Sequence, residues 1–119
     1  MFKSVKEQDS FKNTQTHYYL TQGDSCTITS TPYKNGAIEA NVSKCVFKLA
    51  TSDYKAVKTI DMTKGTNGSY VLNLRSTDTA ELNAGSYIYE IEYTIGTGVD
   101  AEVQTPHSWK FDIVKQITE

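Results

Sequence analysis

The segment Leu82-Asn-Ala-Gly-Ser-Tyr-Ile-Tyr-Glu-Ile-Glu-Tyr-Thr-Ile95 carries the clearest pattern in the chain. From Tyr87 onward, apolar side chains fall on every second residue and mostly polar ones fall between them. Because successive side chains of a β-strand point to opposite faces, this alternation predicts a strand with one buried face. The residues expected on that face are Tyr87, Tyr89, Ile91, Tyr93 and Ile95. We expect this strand to lie in the centre of a sheet.

The residues that lead into this strand resemble a known corner. Leu82, Gly85 and Tyr87 are spaced as in the tyrosine corner of immunoglobulin-like sandwiches, where the tyrosine hydroxyl bonds to backbone upstream of the strand. Two hallmarks of antibody domains are missing, since Tyr89 replaces the second cysteine and Phe47 replaces the core tryptophan. The resemblance therefore implies an immunoglobulin-like architecture without its disulfide.

Six other segments have strand character and are separated by turn residues. They are His17–Leu20, Cys26–Thr31, Cys45–Leu49, Val57–Met62, Tyr70–Arg75 and Val99–Ile113. Pro106 lies inside the last segment and predicts a bulge or kink there, because proline has no amide hydrogen to donate. Seven short strands predict an all-β, antiparallel β-sandwich, with a small β-barrel as the alternative.

Residues Ser76–Leu82 leave the period-2 pattern between the fifth and sixth strands. Hydroxyl residues followed a few positions later by Glu81 are typical of an N-capped helical turn. We expect this turn to carry the chain from one sheet to the other.

The length of 119 residues corresponds to one domain. We predict a polar N-terminal arm over residues 1–15 and a single sandwich domain over residues 16–119. No apolar run approaches the roughly 18 residues of a membrane-spanning helix, and the arm lacks the apolar centre of a secretory signal. We therefore expect no membrane partner.

Charge and cysteine content narrow the classes of partner. The net charge is -2, with lysines and acidic residues interspersed, so we expect no nucleic-acid partner. Cys26 and Cys45 are too few for a disulfide framework and are not spaced like a zinc site. We interpret them as two buried thiols, with a Cys26–Cys45 bridge as the alternative.

Few residues suggest catalysis. His17 and His107 lie far apart, and neither has a patterned serine, cysteine or aspartate partner that would make a triad. Glu90 and Glu92 share the solvent face of one strand, where a cross-strand cation such as Lys110 explains them better than the paired carboxylates of a glycosidase do.

Asp100 and Glu102 provide too few oxygens for calcium, which needs six to eight. The sequence therefore predicts no catalytic, cofactor-binding or metal-binding residue, no cofactor and no enzymatic activity.

The eight tyrosines favour recognition, because each presents an apolar ring and a hydroxyl at low entropic cost. Several follow the buried face of the sixth strand. Tyr18 or Tyr19, Tyr33 and Tyr54 are expected to be exposed, and they are candidates for a sugar-stacking site.

Residues 75–93, Arg-Ser-Thr-Asp-Thr-Ala-Glu-Leu-Asn-Ala-Gly-Ser-Tyr-Ile-Tyr-Glu-Ile-Glu-Tyr, resemble a segment of the immunoglobulin-like modules in tail and baseplate proteins of phages that infect Gram-positive bacteria. The N-terminal domain of upper baseplate proteins is one such module. The segment Thr21-Gln-Gly-Asp-Ser25 is similar to the stretch that precedes their second strand.

This resemblance implies a non-enzymatic structural or attachment protein of the virion that works through protein-protein contacts. The implied partners are other phage structural proteins, including further copies of this chain. The implied location is the host cytoplasm during synthesis and then the tail or baseplate. A carbohydrate-binding sandwich in host adhesion is the alternative, and a small hydrolase is the least favoured.

Overall fold

The computed structural model describes residues 15–117, so the predicted arm lies outside the described residues except for Gln15. The strands are β1 (Tyr18–Thr21), β2 (Cys26–Ser30), β3 (Tyr33–Lys34), β4 (Ala37–Ile38), β5 (Val42–Thr51), β6 (Ala56–Asp61), β7 (Thr63–Lys64), β8 (Tyr70–Leu74), β9 (Gly85–Ile95) and β10 (Glu102–Val114). A short α-helix, α1 (Ser76–Ala80), lies between β8 and β9, and single 3₁₀ turns occupy Thr66–Gly68 and Gly98–Asp100. No helix in this part of the chain is long and apolar enough to cross a membrane.

Two sheets enclose the core. The larger sheet has the strand order β1-β10-β9-β5-β6, and the smaller has the order β2-β8-β7. Seven strands have four or more residues, whereas β3, β4 and β7 have two each. The prediction of an all-β sandwich is confirmed.

The larger sheet is mixed and not wholly antiparallel as predicted, because β1 pairs with β10 in parallel while the other pairs are antiparallel. The sequence pattern does not reveal this, since side chains alternate with the same period in strands of either direction.

Strand β9 lies centrally in the larger sheet, between β10 and β5, as predicted. The inward side chains of Tyr87, Tyr89, Ile91 and Tyr93 are all buried. They share one hydrophobic core with Phe47 of β5, Phe111 of β10 and, from the smaller sheet, Ile28, Leu72 and Leu74. The ring of Tyr89 lies 6.0 Å from that of Phe47 and 6.4 Å from that of Phe111, within the range of favourable aromatic pairs.

The tyrosine corner forms as the sequence predicts. The Tyr87 hydroxyl donates a hydrogen bond to the Asn83 carbonyl at 2.7 Å, four residues upstream. Tyr89, in the position of the missing cysteine, donates from its hydroxyl to the Thr16 carbonyl at 2.8 Å. Burial raises the pKa of the Tyr89 hydroxyl to about 12, so it stays protonated and keeps this donor at neutral pH.

Both cysteines are free thiols, and no bridge forms between them. Cys45 is buried beside Met62, with its Sγ 3.6 Å from the Met62 Sδ, whereas Cys26 is only half-buried. Burial raises the pKa of the Cys45 thiol to about 12, so this thiol is held in its unreactive protonated form.

Helix α1 carries the chain from the smaller to the larger sheet, as expected, but its cap differs from the prediction. The N-cap residue is Arg75, whose amide donates to the Asp78 carboxylate at 2.9 Å. The hydroxyl of Thr79 makes a tertiary contact instead. Its Oγ1 accepts from the Gly23 amide at 3.1 Å and donates to the Asp24 carbonyl at 2.5 Å. Thr79 therefore ties α1 to the turn between β1 and β2.

The bulge predicted at Pro106 is present as a one-residue shift in the pairing of β10 with β9, between Gln104 and His107. Before the shift, Gln104 lies opposite the inward residue Tyr93, and after it His107 lies opposite the inward residue Ile91. Because side chains alternate, a shift of one residue exchanges the two faces of a strand. The bulge thus directs Phe111 and Ile113 toward the core.

Replacing Tyr87 by phenylalanine keeps the buried ring and removes its hydrogen bond to Asn83. We expect Tyr87→Phe to lower the free energy of unfolding by about 1 kcal/mol, as for the loss of one hydrogen bond. Urea denaturation measures this change. Tyr54→Phe is the control because that side chain is 79% exposed, and equal stabilities of the two variants would contradict the corner assignment.

Replacing Thr79 by valine keeps its size but leaves the Gly23 amide and the Asp24 carbonyl without their hydroxyl partner. We expect Thr79→Val to lower the free energy of unfolding by about 1–2 kcal/mol, the cost of losing hydrogen bonds to partly buried backbone groups. Thr79→Ser keeps the hydroxyl and should be less destabilising. Thermal unfolding of both variants checks this order, and a less stable serine variant would show that the methyl group matters more than the hydrogen bonds.

Candidate functional site

The bulge in β10 places His107 at the side of the sandwich, where a cleft of about 250 Å³ opens between the sheets. Its Nε2 lies 3.0 Å from the Tyr93 hydroxyl, which also hydrogen-bonds to Ser30 Oγ. Burial lowers the pKa of His107 and raises the pKa of Tyr93, so the histidine is neutral and the tyrosine protonated at neutral pH.

This chain of hydrogen bonds is better suited to structure than to catalysis. Ser30 and Tyr93 are buried, at 3% and 0% exposure, and the Tyr93 hydroxyl is engaged with both Ser30 and His107. The network instead satisfies two hydroxyl groups that would be costly to bury alone.

The second histidine lies on the outer side of the larger sheet. His17 Nε2 lies 2.8 Å from an oxygen of Asp112, and the Tyr19 hydroxyl lies 3.0 Å from the His17 Nδ1. Hydrogen bonding to His17 lowers the pKa of the Asp112 carboxyl. The sequence gives no sign of this pair, because its members are 95 residues apart.

In a catalytic triad an aspartate orients the histidine, and a nucleophile bonds to the other nitrogen of the imidazole. Tyr19 lies at that other nitrogen, but its geometry does not fit the role of the nucleophile. The Tyr19 ring stacks on the imidazole, with the ring centroids 4.0 Å apart and the planes at 24°. The hydroxyl therefore approaches from above the imidazole plane, whereas the Nδ1 lone pair lies within that plane. This geometry does not support proton transfer from Tyr19 to His17.

The acidic residues singled out in the sequence are partnered or dispersed. Glu92 pairs with Lys48 of the neighbouring strand at 2.9 Å, so the predicted cross-strand cation is present, but it is Lys48 and not Lys110. In the pairing of β5 with β9, Lys48 lies directly opposite Glu90. Glu92 lies two residues further along β9 on the same face, so it is the diagonal neighbour of Lys48. Glu102 pairs with Lys34 at 3.6 Å. Within residues 15–117, no cluster of three or more His, Cys, Asp or Glu side chains is placed to hold a metal ion.

The predicted exposure of three tyrosines is confirmed. Tyr19 is 68% exposed, Tyr33 is 42% exposed and Tyr54 is 79% exposed. They do not form one site, because Tyr33 and Tyr54 line different clefts and Tyr19 stacks on His17.

Tyr54 shares a cleft of about 280 Å³ with Trp109. The sequence pattern predicts Trp109 only as a residue of the last strand. We call this site the aromatic cleft. Its lining consists of Gln15, Tyr54, Ile88, Tyr89, Glu90, Ser108, Trp109 and Lys110. The Lys110 ammonium lies 5.3 Å from the centroid of the Trp109 ring, within the range of a cation-π interaction.

Three turns meet at the Ile95 end of β9, and we call this region the loop end. It consists of the β3–β4 hairpin, the turn 65–69 before β8, and the turn 96–101 together with the first two residues of β10. The hairpin turns at Asn35 and Gly36, which both have positive φ, at 56° and 79°. This is the geometry of a type I′ turn, and the Asn-Gly pair that favours it is visible in the sequence.

Specific contacts hold the loop end together. The Gly96 amide donates to the Asn41 carbonyl at 2.9 Å, and Ser43 Oγ donates to the Gly96 carbonyl at 2.7 Å. Ile38 packs so closely on Gly68 that a Cβ there would lie 2.7 Å from the Ile38 Cγ2. A cleft of about 430 Å³ opens between the hairpin and the turn before β8, lined in part by Ile38 and Tyr70.

The loop end exposes apolar side chains. Val99 is fully exposed, and the exposed fractions of Val103, Tyr33 and Ile38 are 55%, 42% and 40%. Several large apolar side chains exposed in one region are more typical of an interaction site than of a surface that stays in contact with solvent.

Fold and surfaces together define an all-β sandwich domain with two candidate binding regions. A comparison with protein-family models finds no match for this chain, and a comparison with curated proteins finds none either.

The half-buried His107 predicts a loss of stability in mild acid. The folded protein holds this imidazole neutral, whereas the unfolded chain takes up a proton below about pH 6.5, so acidification favours unfolding. We expect the free energy of unfolding to fall between pH 7 and pH 5, and to fall less in His107→Gln. Urea denaturation across this range checks the prediction, and parallel curves for the two proteins would refute it.

Proposed function

We propose that this chain is a non-enzymatic attachment domain that binds another protein through its loop end, as a component of a phage tail or baseplate. The observation that carries the proposal is the exposure of Tyr33 and Ile38 on the β3–β4 hairpin and of Val99 and Val103 around the start of β10.

The chemistry of the loop end suits a protein partner. Its exposed side chains are valine, isoleucine and tyrosine, which gain free energy when a partner removes them from water. The cleft beside Ile38 can accept an apolar side chain of the partner, as in the central pockets of protein interfaces.

The loop end is also ordered before binding. Hydrogen bonds join Gly96 to Asn41 and to Ser43, and an ion pair joins Lys34 to Glu102. Turns held in this way lose little conformational freedom on association, so more of the contact energy contributes to affinity.

Placement in a phage particle rests on the resemblance of residues 75–93 to tail and baseplate modules. In the structure these residues run from the end of β8 through α1 and the tyrosine corner into β9. One fold serves many functions, so the presence of the chain in virions is the observation that distinguishes this role from others.

The first experiment is mass spectrometry of purified virions from the phage that encodes this chain. Tagged protein is then used to retain tail components from dissociated virions. We expect the chain in the virion and one or more tail proteins in the retained fraction. Its absence from virions, together with no retained tail protein, would overturn the proposal.

Two valines of β10 provide a matched pair for locating the interface. Val103 at the loop end is 55% exposed and Val114 at the opposite end of the strand is 52% exposed. Val103→Asp should weaken retention of the tail protein at least about tenfold, because a charge would be buried without a partner, whereas Val114→Asp should leave it unchanged. Equal effects of the two substitutions would exclude the loop end as the interface.

A further inference from the structure

We propose that the aromatic cleft binds a saccharide. This site is separate from the loop end and goes beyond a role in protein attachment, because its ligand would be a small carbohydrate unit.

The lining of the cleft combines the two kinds of group that a sugar ring requires. Tyr54 and Trp109 present rings that are 79% and 39% exposed, and the apolar C–H face of a pyranose can lie against such rings. Around them lie the Glu90 carboxylate, the Lys110 ammonium and the Ser108 hydroxyl. These groups can accept and donate hydrogen bonds to sugar hydroxyls.

The same lining disfavours an apolar partner. Covering the cleft with an apolar surface would remove Glu90 and Lys110 from water without giving them new hydrogen bonds, at a considerable cost. Sugar hydroxyls replace the lost water at both charges. The volume of about 280 Å³ lies at the lower end of the range for small-molecule pockets, which favours one or two sugar units over a long chain.

The backbone at Tyr54 provides an independent indication of function. Tyr54 has φ of 67°, a left-handed conformation that glycine or asparagine adopts at lower cost than a bulky residue. The turn is fixed by the bond from the Tyr54 amide to the Thr51 carbonyl at 2.9 Å and by a bond between the Thr51 hydroxyl and the Asp53 carboxylate. A tyrosine held in this conformation, with its ring in solvent, suggests that the ring is needed at the mouth of the cleft.

The single tryptophan of the chain gives a direct test, because Trp109 lines the cleft and no other tryptophan contributes to the fluorescence. The full chain is first screened on an array of neutral hexoses, N-acetylhexosamines and acidic sugars, as mono- and disaccharides. Each sugar that binds is then titrated against tryptophan emission. We expect at least one class to bind and to change the emission in a saturable manner.

Tyr54→Asn is the informative variant, because asparagine tolerates the left-handed turn and removes the ring. We expect it to weaken sugar binding at least tenfold while leaving the melting temperature unchanged or higher. Tyr19→Asn is the control, since Tyr19 is 68% exposed and lies outside the lining of the cleft. Failure of every sugar to bind, or wild-type binding by Tyr54→Asn, would overturn the proposal.

Val103→Asp separates this proposal from the one for the loop end. It should bind sugar normally while losing its protein partner, so either activity can fail without affecting the other. Loss of sugar binding in Val103→Asp as well would refute the assignment of the two ligands to separate sites.

Discussion

Burial of the Tyr87, Tyr89 and Tyr93 rings between the two sheets is the interaction on which the remaining structure depends. Each buried aromatic ring contributes about 2–3 kcal/mol through removal of apolar surface from water, but each also brings a hydroxyl group that needs a partner. The three hydroxyls reach different parts of the chain. Tyr87 bonds to Asn83 before β9, Tyr89 bonds to Thr16 before β1, and Tyr93 bonds to groups on β2 and β10. One central strand thereby fixes the positions of the elements around it.

Features that depend on local pattern could be predicted from the sequence. The alternation in residues 87–95 predicts both the strand and its buried face, and Pro106 predicts the bulge, because proline cannot supply the ladder hydrogen bond. The spacing of Gly85 and Tyr87 likewise predicts the corner. These features need only neighbouring residues, so the information is contained in a short stretch of chain.

Features that depend on distant residues could not be predicted in this way. The His17–Asp112 pair joins residues 95 positions apart, and the bond from Thr79 to Gly23 spans 56 positions. The aromatic cleft likewise combines a feature that depends on local sequence with one that depends on distant residues. The exposure of Tyr54 follows from its place in a polar turn, whereas its proximity to Trp109 depends on how β5 and β10 are arranged around β9.

Tyr89 stands in this fold where an antibody domain has a disulfide cysteine, and this affects how the fold responds to reduction. It packs in the core against side chains of both sheets and bonds to Thr16 before β1. Both cysteines of the chain remain thiols, and the buried one is unreactive. A domain whose sheets are joined by an aromatic ring has no cross-link for a reductant to cleave. Reduction therefore removes no covalent link between the sheets of this fold.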